Sequence, residues 1–111
     1  MSRIKESDWN TFKKLHKIVL NRFCEGVLKE SSKILLNKSE NPHQAYLELY
    51  RLLHDKDKVV ARIFNDYRRS TAVLQLRLMN DQSLLTKDEK ELFSPEVQNW
   101  LNINYGEDSE D

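Results

Sequence analysis

Residues 45–79 read AYLELYRLLHDKDKVVARIFNDYRRSTAVLQLRLM, a run without a glycine or a proline. Successive residues of a helix are set about 100° apart. On that spacing Ala45, Leu49, Leu52, Leu53, Val60, Ile63, Phe64, Tyr67, Leu74 and Leu78 keep one phase, the pattern of an amphipathic helix. The weak point is His54-Asp-Lys-Asp-Lys58, which sets Lys56 on the apolar face. Two readings stay open: one very long helix, or two helices meeting near Asp55–Asp57, where either aspartate can cap a new start. A mean helix length of about 11–12 residues favours the break. From Ala72 to Met79 apolar residues run nearly all the way round, so this segment is expected to be covered on every side.

Upstream, Ser7 or Asp8 can cap a helix starting near Trp9 and ending around Leu36. Trp9, Phe12, Val19, Leu20, Phe23, Val27 and Ile34 share its apolar face, with Lys14, Lys17, Asn21, Glu25 and Ser32 opposite. Ile18 and Leu36 fall on the polar side, a hint of a second covered surface. Gly26 interrupts the pattern at a cost of about 1 kcal/mol relative to alanine, which points to another helix packing closely there. Residues 37–42 form a loop, and Asn41 followed by Pro42 is a helix start. Downstream, residues 80–83 form a turn, Thr86 and Glu89 a capping box, and Ser94-Pro95-Glu96 a further start. Val97, Trp100 and Leu101 are the apolar edge of that last helix.

The expected fold is therefore all-α: a helical bundle of two long antiparallel arms, the second bent or broken near Asp55–Asp57, with two short C-terminal helices across one end. Residues 1–105 make one domain, and 106–111 an acidic disordered tail. The expected core is Trp9, Phe12, Phe23, Ile63, Phe64, Tyr67, Leu74 and Trp100. Two glycines and two prolines in 111 residues are too few for the turns of an all-β domain. They also exclude a P-loop and a dinucleotide fingerprint. The single cysteine, Cys24, excludes an internal disulfide and suits a reducing compartment. With no apolar leader and no membrane-length apolar window, the expected location is the cytoplasm.

Formal charge sums to zero but is unevenly placed: +5 over residues 1–38, +2 over 39–80 and −7 over 81–111. The histidines, His16, His43 and His54, lie far apart and belong to no metal-ligand spacing, so neither a metal nor another cofactor is expected. His16 reads as a hydrogen-bonded boundary residue and Cys24 as a buried, inert thiol. Glu30 falls on the apolar face of the first helix and needs a partner, either His16 or a cation of the second arm. No short helix pair with a glycine turn and no sustained heptad seam is present.

Three function classes follow as expectations; no enzyme is expected and no residue is assigned a catalytic role. The leading one is a non-enzymatic interaction or regulatory protein that forms a homodimer through Ala72, Val73, Leu76 and Met79. The second is nucleic-acid binding by a basic stripe of Arg51, Lys58, Arg62 and Arg69, which share one side if the helix is continuous, supported by Lys13, Lys14 and Lys17. The interspersed acids and a pI near 6.8 weaken it. The third is a small-molecule pocket built by Glu30, Asp66, Tyr67 and Ser70, with Asp66 pairing along its own helix to Arg62, Arg69 and Ser70.

Overall fold

A computed structural model describes residues 4–37 and 40–102. Helix α1 spans Glu6–Leu36, α2 Pro42–Ile63, α3 Ala72–Asp81, α4 Lys87–Lys90 and α5 Pro95–Asn102, with a 3-10 turn at Arg69–Thr71 before α3. No strand occurs among the described residues, and the fold is all-α. Helices α1 and α2 pack antiparallel as a hairpin, while α3 packs on α5 and touches both long helices. The proposed tail, residues 106–111, and the domain boundary at 105 lie outside the described residues.

Local signals set most boundaries. Asn41 accepts a bond from the Gln44 backbone N–H at 3.1 Å, with Pro42 in the first turn of α2. Thr86 and Glu89 form the full capping box of α4. Helix α1 starts one turn earlier than expected, at Glu6, and neither Ser7 nor Asp8 caps it. The Asp8 carboxylate is used elsewhere. It is buried and accepts from Ser94 N–H at 2.8 Å and from Ser94 Oγ at 2.7 Å, which ties the start of α1 to the start of α5.

The second arm is continuous through Asp55–Asp57 and ends at Ile63. Lys56, the residue that suggested a break, stays in the helix because its stem lies along the interface while its Nζ reaches out to Glu30 Oε1 at 3.8 Å. The chain turns at residues 64–68 instead. Phe64 leaves the helix with its ring buried in the core. The Asp66 carbonyl then accepts from Thr71 Oγ1, at 2.6 Å, and from Gln75 Nε2.

The core sits at one end of the hairpin. It gathers Phe12, Leu15, Val19 and Phe23 of α1, Ile63 and Phe64, Ala72, Val73, Leu76 and Met79 of α3, and Phe93, Val97 and Leu101 near the C-terminus. Of the expected core, Trp9 and Trp100 are half-buried, and Tyr67 and Leu74 are exposed. The residues proposed for self-association, Ala72, Val73, Leu76 and Met79, are all buried by their own chain, so that surface is not available to a partner. The reason is that α1, α2 and α5 pack against the side of α3 that carries these four residues, while Leu74 points away from them.

Candidate interaction surface

The other end of the hairpin is an arm that projects from this core. Among the described residues of 24–62, Ser31 alone is buried, and its hydroxyl turns back to the Val27 carbonyl of its own helix at 2.9 Å. The radius of gyration is 17.2 Å, against about 13 Å for a compact chain of this length. Among the described residues no third element covers the apolar side of the arm.

Each arm helix carries two apolar rows. On α1, Leu20, Phe23, Val27 and Ile34 face α2, and Cys24, Leu28 and Leu35 form a second row about 95° further round. On α2, Ala45, Leu49, Leu52, Val59 and Ile63 face α1, and Tyr46, Tyr50 and Leu53 form a second row about 110° away. The two second rows lie on the same side of the hairpin. Between them runs an open groove of ≈ 510 Å³, lined by Phe23, Cys24, Val27, Leu28, Tyr50 and Leu53 and rimmed by His54, Lys56 and Asp57. Leu28, Tyr46 and Tyr50 are each more than 60% exposed, and with Leu35 and Leu53 they lie on one side of the hairpin. The opposite side of the arm is polar, carrying Glu30 and Lys33 on α1 and Glu48, Arg51, Asp55 and Arg62 on α2.

The C-terminal helices dock away from the apolar side. Arg22 gives two bonds to Glu89, at 2.9 and 2.8 Å, and a third to the Leu84 carbonyl. The hydrogen bond to Arg22 holds the Glu89 carboxyl below the usual range, and the guanidinium is raised in turn. With Asp8–Ser94, this pins α4 and α5 to the flank of α1 opposite Cys24 and Leu28. Further along the open flank, towards the N-terminus of α1, lie Lys13, Lys14 and Lys17, all exposed.

The expected polar pocket is not assembled. Glu30 is exposed on the arm and meets Lys56. Asp66 is exposed in the turn and pairs with Arg68, at 2.7 and 3.0 Å, rather than with Arg62, Arg69 or Ser70, because the helix that would have aligned them ends at Ile63. That bond lowers the Asp66 carboxyl. Tyr67 stacks on His16 with ring centroids 4.3 Å apart, and His16 Nε2 lies 3.0 Å from the Phe64 carbonyl. Ser70 faces solvent.

The basic stripe is shortened for the same reason. Arg51, Lys58 and Arg62 stay exposed on the polar side of α2, but Arg69 lies beyond the turn and gives both its bonds, at 3.2 and 2.8 Å, to the Ile4 carbonyl. Cys24 is exposed in the groove rather than buried. Among the described residues no three His, Cys, Asp or Glu side chains gather as a metal site, and no helix is long and apolar enough to cross a membrane.

The tyrosine row was overlooked in the sequence. Tyr46, Tyr50 and Leu53 do carry a signal there, an i, i+4, i+7 spacing offset from the main apolar phase. Family models, curated proteins and solved structures offer no match to the chain.

Proposed function

We propose that this protein works by contact rather than by bond-making, as a non-enzymatic interaction protein whose binding surface is the apolar side of the α1–α2 arm. One observation carries the reading: Leu28, Leu35, Tyr46, Tyr50 and Leu53 are 45–64% exposed on a single side of one hairpin. Large apolar side chains scattered singly need no explanation, but a contiguous patch rimmed by polar groups marks an association site. Cytoplasmic residence fits the exposed, unpaired Cys24, which a reducing compartment keeps as a thiol.

The test combines light scattering with titration of an apolar fluorescent dye on the intact chain. A monomer that binds dye saturably, or an oligomer, supports the reading when Leu28→Glu with Leu53→Glu abolishes the effect and leaves helicity unchanged. A monomer that binds no dye overturns it.

A further inference from the structure

The geometry of the two apolar rows identifies the occupant of this surface, and the inference rests on the contact reading above. We propose that the apolar side of the arm is covered by the same side of a second copy of this chain, the two hairpins together forming a four-helix bundle.

The first argument is angular. A helix at the corner of a four-helix bundle touches two neighbours set about 90° apart, whereas a helix in a three-helix bundle has them about 60° apart. On α1 the Cys24–Leu28–Leu35 row stands about 95° from the row facing α2. On α2 the Tyr46–Tyr50–Leu53 row stands about 110° from the row facing α1, nearer to 90° than to 60°. Both helices are thus patterned for a square. A single foreign helix lying in the groove would meet the inner edge of each row and leave Tyr50, the outermost, largely in water. A second hairpin meets both rows.

The second argument is area. The patch runs from Cys24 to Leu35 on one helix and from Tyr46 to Val60 on the other, about 20 Å along the arm at 1.5 Å per residue. It is two helix widths across, again about 20 Å. A face of this size is about 400 Å² in outline, with Asn21, Ser32, His54 and Asp57 round its edge. It has the apolar centre and polar rim of an interface but about half the 800 Å² per partner of a standard one, so the dimer expected is a weak, concentration-dependent one.

Charge and access agree. The formal net charge of zero gives two copies no net repulsion. Helices α3–α5 sit on the far flank of α1, so none of the described residues blocks the approach. If the arms run antiparallel about a two-fold axis, the clusters of Lys13, Lys14 and Lys17 lie at opposite ends of the bundle. They are then separated by far more than the Debye length of about 8 Å.

Sedimentation velocity of the full chain across a concentration series up to roughly 100 μM tests the proposal. The expected result is a species of twice the 13.2 kDa chain mass. Leu28→Glu with Tyr50→Glu is expected to weaken association by at least about tenfold, and Lys33→Glu on the polar side to leave it unchanged. Both positions of the double variant are solvent-facing, and circular dichroism checks that it stays folded. A monomer throughout the series, or a dimer insensitive to the double variant, overturns the second-copy proposal. Dye binding separates the two levels: a monomer that binds dye removes this proposal but leaves the contact reading, and one that binds none removes both.

Discussion

The two ends of the α1–α2 hairpin are built from the same kind of sequence and meet different fates. At the base, Phe12, Leu15, Val19 and Phe23 are buried beneath α3, Phe93 and α5. In the arm, Val27, Ile34, Leu49 and Leu52 repeat the pattern and are only half-buried, because two helices side by side leave both flanks open. Amphipathic periodicity thus specifies which residues share a side. It does not specify whether anything lies on that side. Stability belongs to the base and availability to the arm.

The sharpest way to break this contrast is to truncate one side chain at each end. Phe12 is fully buried, so Phe12→Ala should cost about 3–5 kcal/mol in urea unfolding. Leu28 is 63% exposed, and Leu28→Ala in dilute protein should stay within about 0.5 kcal/mol of wild type. Equal losses at the two positions would mean that the arm is packed as the base is.

Next in size is the tie between the chain's two ends. Asp8 is 3% exposed and holds both Ser94 donors. Asp8→Ala leaves the Ser94 N–H without its acceptor at the start of α5 and should cost about 2 kcal/mol. Hydrogen exchange should show the loss in α5 and the base, with the arm amides unchanged.

Arg22 sharpens the contrast through pH. Its two bonds to Glu89 and one to Leu84 are worth about 1–2 kcal/mol together, reduced by the partial exposure of Arg22. Because Arg22 lowers the Glu89 carboxyl when folded, the part of this that comes from Glu89 is fully present above the ordinary glutamate value of 4.5 and is lost as pH falls through the folded value, while the bond to Leu84 remains. Glu89→Gln should flatten the stability profile in that acid range. An unchanged acid limb would show that the pair adds nothing to the base.

Legibility in the sequence followed the range of the interaction. The Asn41–Pro42 start, the Thr86–Glu89 box and the long α1 face depend on neighbours a few residues away, and each was readable. The turn at 64–68 was not, because Phe64 and Tyr67 happen to keep the phase of α2, while the turn is held by the Phe64 ring in the core and by Asp66 carbonyl bonds to Thr71 and Gln75. That one misplacement carried Arg69 into the basic stripe and joined Asp66 to Ser70. The interaction surface was missed for a related reason. Ala72, Val73, Leu76 and Met79 lie in the most apolar stretch and are covered by their own chain, while the open patch is assembled from short rows on two helices that only their pairing brings together.

The smallest expected effect concerns Gly26, which lies on α1 where the arm leaves the base. Its sequence position suggested that another helix packs closely there. A Cβ at this position would meet nothing within 4 Å among the described residues, so none of them packs closely there. The glycine then contributes only its backbone freedom, and Gly26→Ala should raise stability by about 0.5–1 kcal/mol. The gain should be local, because an arm without a third layer depends more on helix propensity than the base does. Slower amide exchange in residues 24–36 than in residues 12–20 of the variant, each relative to wild type, would sharpen the contrast between the two regions. A destabilised variant would show instead that something presses on the polar flank of the arm in solution.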